Sequence, residues 1–123
     1  MKRKRIIEFN ENNNVQVGFL PDMKKRGVSM IIGTCIYDIH IYCSQSLKDK
    51  RRILKSVIDR IKNKFNVSIA EIDHQDSWDH AVIGIAVVSN HTTHVNQMLN
   101  NITHFLENSD NEIEITHVTM EII

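Results

Sequence analysis

The residues densest in chemistry are Asp73-His74-Gln75-Asp76-Ser77-Trp78-Asp79-His80. Two histidines and three aspartates within eight positions have the makings of a divalent-metal site or an acid–base set. A polar turn between two strands draws on the same residue types, because Asp, Gln and Ser bond readily to nearby backbone. No HExxH, second His/Cys pair or nucleophile motif accompanies the stretch. The expectation is therefore a polar turn with no catalytic residue, metal or cofactor. Trp78 is suited either to stacking a base or to covering a sheet edge. His91 and His94 stand three apart, a spacing that can chelate, but no carboxylate or Cys lies close by in sequence. They are expected to be solvated or half-buried.

A second chemical pattern is SLKDKRRILKSVIDRIKNKF at 46–65. Leu47, Leu54, Val57, Ile58, Ile61 and Phe65 recur at helical spacing on one face. Ser46 and Asp49 open the segment in capping-box style. Lys48, Arg51, Arg52, Lys55 and Lys62 gather on one flank at 100° per residue, with Asp59 the only acid among them. Lys50 falls instead on the core-facing side. Two readings stay open for it: a stem that snorkels over the sheet end, or a functional lysine facing the 74–76 turn or His40.

The elements that must position these groups follow from periodicity. Residues 31–41 alternate, with Gly33, Cys35, Tyr37, Ile39 and Ile41 on one face. Residues 67–73 read as a second strand and 80–89 as a third, apolar on both faces as in a sheet interior. Residues 90–108 carry a helical stripe of Val95, Met98, Leu99, Ile102 and Leu106. That helix is rich in Asn, Thr and His, poor helix formers, so packing must hold it. In the last strand, 112–122, the alternation changes phase, and a bulge near Thr116–His117 reconciles it. The order strand, helix, strand, strand, helix, strand predicts an α+β, ferredoxin-like βαββαβ fold: a four-stranded antiparallel sheet with both helices on one face. Gly33 and Gly84 sit inside strand patterns without Gly-rich context, which points to close packing rather than phosphate loops.

At 123 residues the chain is one modest domain, and its net charge of zero conceals a segregation. All 15 Lys and Arg precede residue 66, while nine acids follow it. Two cysteines, Cys35 and Cys43, without a CxxC fit a reducing compartment. No apolar run is long enough to span a membrane. The start MKRKRIIEF lacks the continuous apolar region of a secretory signal, and a cytoplasmic location is expected. Residues 1–29, with KRKR, NENNN and the single proline, show no sustained period and read as a disordered or non-native extension ahead of a domain at 30–123. The codons of Lys24-Lys25-Arg26-Gly27 can form a purine run like a ribosome-binding site, so the natural start is expected at Met30.

MIIGT at 30–34, SLKDKRRILKS at 46–56, FNVSIAEIDHQDSW at 65–78 and VVSN at 87–90 closely resemble the YlxP-like family of small bacterial proteins. The resemblance covers 30–123 and none of 1–29. It implies a ferredoxin-like fold and no assigned activity. Genes of the family often lie among those for translation initiation and ribosome maturation, which implies an RNA or ribosomal connection by association. The motif-like positions are Ser46, Leu47, Lys48, Lys50, Arg51 and Arg52, then Asp73, His74, Gln75, Asp76 and Trp78. Asp79-His80 departs from the family pattern, so no catalytic role of His80 is implied.

The expected function is a non-enzymatic RNA- or ribosome-associated binding module, with Lys48, Arg51, Arg52, Lys55 and Lys62 as the phosphate site. A second cluster of interest is His40, Lys50, Asp73, His74, Gln75, Asp76 and Trp78. RNA on the sheet face, as RRM domains bind it, is not expected, because HAVIGIAVVS offers no aromatic, Lys or Arg. The open sheet face carries much apolar surface and is expected to be buried by another copy of the chain, as a homo-oligomer, or by residues 1–29. The alternatives are a small enzyme or metal-binding protein using residues 73–80, and an oligomeric scaffold without a nucleic-acid role.

Overall fold

The structure, a computed structural model, describes residues 29–108 and 112–123, and the backbone of residues 5–9, 15–19 and 109. Near the N-terminus β1 (Arg5–Phe9) and β2 (Val15–Phe19) pair antiparallel. The sequence reading placed no strand in residues 1–29; each strand is only five residues long, too short for its alternation to register as a period. The rest of residues 1–28 lies outside the described residues.

The domain then runs β3 (Ile31–Ile41), α1 (Leu47–Lys64), β4 (Ser68–Asp73), β5 (His80–Ser89), α2 (Thr92–Ser109) and β6 (Ile113–Ile122). The sheet order is β4-β5-β3-β6, antiparallel throughout, which is the ferredoxin-like arrangement. One apolar cluster joins both helices to one sheet face: Cys35, Tyr37, Ile39 and Ile41 of β3, Ile83 and Ile85 of β5, Val57 and Ile61 of α1, and Leu99 and Ile102 of α2. Cys35 is fully buried in this core, and burial pushes its thiol pKa up. α2 packs closely over Gly33, where an added Cβ would collide with Val95 Cγ1.

Two irregularities re-aim side chains. In β6, Asp38 pairs with His117 but Ile39 with Ile115, so Thr116 is the extra residue and donates its hydroxyl to Asp38 O at 3.1 Å. This bulge is the one the phase change predicts. In β4 the register shifts at Ile72, which leaves Ile72 over Gly84 on the sheet face away from the helices. No helix among the described residues is long and apolar enough to cross a membrane.

Candidate functional site

Two sequence-distant motifs meet at the N-terminal end of α1. Ser46 caps the helix, its Oγ accepting from Asp49 N at 3.1 Å. The reciprocal half of the box is displaced by one residue, because Asp49 Oδ2 accepts from Gln45 N at 3.3 Å. This fixes the first turn and turns Lys50 inward, where it is 1% exposed. Its Nζ lies 2.9 Å from Glu71 Oε2 of β4 and donates to His74 O at 2.5 Å. The Lys50–Glu71 contact is a charge pair with poorly aligned hydrogen-bond geometry, and the buried Oε2 takes no hydrogen bond from another described group.

The His74 carbonyl also accepts from Ser77 N at 3.0 Å, and His74 itself has a positive φ of 60°. A β-region His74 would turn that carbonyl elsewhere, so the left-handed backbone and the lysine anchor specify one loop shape together. A second tie, Ser44 Oγ to Trp78 O at 2.5 Å, holds the far side of the loop. Lys50 thus faces the turn and not His40, which lies on the opposite face of the sheet. Asp73 Oδ1 accepts from His74 N at 2.7 Å, while Gln75 and Asp76 are exposed. The Trp78 side chain is half exposed.

On the other face of this sheet end, His80, His40 and Glu114 form a cross-strand row from β5 through β3 to β6. Asp79 sits beside it, with Oδ1 2.8 Å from His80 Nδ1 and Oδ2 3.9 Å from His40 Nε2. Its carboxyl pKa is held below the ordinary value chiefly by the His80 hydrogen bond. Tyr42 donates to Glu114, which raises the phenol's pKa. The His40 ring packs edge-on against Tyr42 and His80. The sequence names His40 and, within 73–80, His80, but neither their pairing nor Glu114; the signal for the row is the polar end of β3's outer face opposite the polar start of β5.

The arrangement orients an Asp79–His80 pair. Ser77 Oγ donates to Asp79 Oδ1 at 3.1 Å and accepts from His80 N at 3.2 Å. Among the described residues no group of three or more His, Cys, Asp or Glu is disposed to hold a metal ion. His94 bonds Ser89 Oγ through Nδ1 at 3.0 Å and acts at the helix start, while His91 is exposed beside it.

The basic flank is a separate surface. Lys48, Arg51, Arg52, Lys55 and Lys62 are all exposed along α1. Lys55 pairs with Asp59 at 3.2 Å, an exposed i,i+4 contact that contributes little to stability.

The class defined by these features is a small α+β domain of ferredoxin-like topology, with a cationic helix and a loop pinned by a buried lysine. Residues 32–120 match the family described as Protein of unknown function (DUF503), and the chain belongs to that family. Its relative "Uncharacterized protein YlxP" of Bacillus subtilis (strain 168) is 42% identical over 86 residues, covering 70% of this chain and 92% of that protein.

Proposed function

We propose that the domain is a binding module for RNA, free or in the ribosome, and that it grips phosphates with the outer face of α1. The observation that carries this is the placement of charge. Every Lys and Arg of residues 30–123 lies on α1, eight in all, in a segment holding twelve acids. Lys48–Arg52 and Arg51–Lys55 are like-charge i,i+4 pairs, each costing the isolated helix about 0.2–0.5 kcal/mol. The fold has no need of that repulsion, since the apolar stripe alone docks the helix. A cationic strip on an otherwise acidic body would also orient the protein on a polyanion. The resemblance to a family with translation-gene neighbours is in keeping with this ligand.

Binding should weaken steeply with salt, with a log–log slope of about −0.7 per phosphate contact for single strands. Arg52→Glu with Lys55→Glu should lower affinity for all RNA sequences and leave the circular dichroism unchanged. Undiminished binding by that double variant at low salt would remove α1 as the site.

A second reading concerns assembly. The sheet face away from the helices presents Ile36, Ile72, Val88 and Ile123, each 37–62% exposed, and the first two line a shallow cavity of about 380 Å³ there together with Ile123. Four strands about 4.8 Å apart and about eight residues long give a face of about 500 Å² in projection. That approaches one side of a standard interface, about 800 Å² of accessible surface per partner. A second copy of the chain is the occupant of matching size and apolarity. Light scattering should give a dimer mass for the full chain at micromolar concentration and a monomer for Ile72→Lys with Val88→Lys; a monomeric wild type would dismiss this reading.

A further inference from the structure

The end of α1 remote from the lysine anchor holds a feature that the charge pattern alone does not explain. A cavity of about 570 Å³ opens between the last turns of α1 and α2, lined by Lys64, Phe65, Asn101, His104, Phe105 and Asn108. Its floor is aromatic: the Phe65 and Phe105 rings stand edge to face, 5.7 Å between centroids at 78°. Both rings are partly buried and packed against the core, so the aromatic step is rigid. Its walls are polar: Asn101, His104 and Asn108 are exposed on α2, and Asn108 Nδ2 donates to His104 O at 2.8 Å. Over the floor hangs a cation, with Lys64 Nζ 4.8 Å from the Phe105 centroid and 5.8 Å from that of Phe65.

The cavity lies at the C-terminal end of the helix that carries the cationic strip. A neighbouring depression of about 390 Å³ is lined by Arg52, Lys55, Ser56, Asp59, Arg60 and Asn63. Asn63 borders Lys64 in the chain, and Arg60 precedes Lys64 by one turn, about 6 Å along the helix. A strand with phosphates along Arg52, Lys55 and Arg60 therefore arrives at the aromatic step next.

We propose that this cavity is a nucleobase subsite for single-stranded RNA. A base lies on the Phe65–Phe105 step in the place of the Lys64 ammonium, which moves to the adjoining phosphate. Asn101, His104 and Asn108 offer amide and imidazole partners to the base edge. A paired duplex keeps its bases stacked inside and cannot fill the cavity. The sheet face, the usual aromatic platform of this topology, has no aromatic on β5, so the helices supply one instead. The proposal rests on the reading of α1 as an RNA-binding face.

The test is fluorescence anisotropy of the full chain with three probes of equal length: a single-stranded oligoribonucleotide, an abasic ribose-phosphate strand and an RNA duplex. Wild type should favour the base-bearing strand over the abasic one by about fivefold to a hundredfold, the range for one stacked base. Phe105→Leu, which keeps an apolar side chain on the core, should bring that ratio close to one. Asn101→Ala, on the surface, should reduce the ratio as well and carries the test should Phe105→Leu fail to fold. Arg52→Glu with Lys55→Glu should weaken all three probes together and leave the ratio intact. Equal binding of base-bearing and abasic strands by wild type, or an unchanged ratio in a folded Phe105→Leu, overturns the subsite and leaves the phosphate reading standing. Failure of all three probes to bind at low salt overturns both.

Discussion

α1 and α2 are each 18 residues long and dock on the same sheet face, yet they are built for different ends. α2 is held by Val95, Leu99, Ile102 and Leu106, all at most 1% exposed, and carries no Lys or Arg. Its other tie to the sheet is the 2.7 Å contact of Thr103 Oγ1 with the buried Tyr37 hydroxyl. α1 buries a similar stripe but gives one buried position to Lys50 and covers its outside with cations. The shared packing secures the fold. The difference at Lys50 serves the structure, whereas α1's exposed outer face lies where folding asks for nothing, and function should be sought there.

The comparison breaks most readily in α2. Leu99→Ala should cost about 2–5 kcal/mol, the range for emptying a packed core site, and should lower the thermal midpoint strongly. A loss below about 1 kcal/mol would mean that α2 does not depend on packing as described.

Lys50 comes next. Lys50→Met should cost about 2–4 kcal/mol in denaturant unfolding: it leaves Glu71 Oε2 unpaired, and the one-fifth exposure of Glu71 softens the penalty of a fully buried pair. Lys50→Met with Glu71→Leu should recover part of that loss, while the 74–79 loop, without its donor to His74 O, stays more open to proteolysis. Full recovery of both stability and protease resistance would show that the lysine contributes only as one half of the charge pair.

A smaller effect is expected at the helix start, where Ser46→Ala should cost about 1 kcal/mol by removing the cap on Asp49 N. The smallest sharpens the contrast itself. Arg51→Gln, exposed and away from the anchor, should change stability by less than about 0.5 kcal/mol in either direction. It should nonetheless weaken RNA binding and lower the salt slope by about 0.7. A variant that loses stability but no affinity would reverse the roles given to the two faces of α1.

The acid side carries its own signature. The Asp79 carboxyl is depressed below 3.8, so the unfolded chain binds its proton first as pH falls. Stability from this group is present above pH 3.8 and is lost as pH drops through the folded value. Asp79→Asn should flatten that part of the pH–stability curve, with a modest amplitude because the site is open to solvent.

Much of the fold was readable in advance because its causes are local. Alternation in β3 put Cys35, Tyr37 and Ile39 inward, and the phase change in β6 located the bulge at Thr116. The 3.6-residue period of α1 put Lys50 on the buried side and Lys48, Arg51, Arg52, Lys55 and Lys62 outside. Side-chain period is a property of consecutive residues, and burial follows it wherever one face must leave water. Other features depend on which strands become neighbours. Glu71 shared the inward phase of Ile69, yet its partner, 21 positions earlier in the chain, came only with the docking of α1 over β4. The row of His80, His40 and Glu114 needed the registers of three strands, and the cavity at Phe65 and Phe105 needed the ends of two helices side by side. By itself the sequence determined each element of residues 30–123, its buried face and the charge of α1, but not the short strands β1 and β2. The tertiary structure alone decided which faces meet, because such contacts join residues far apart in the chain, and only the global packing minimum selects them.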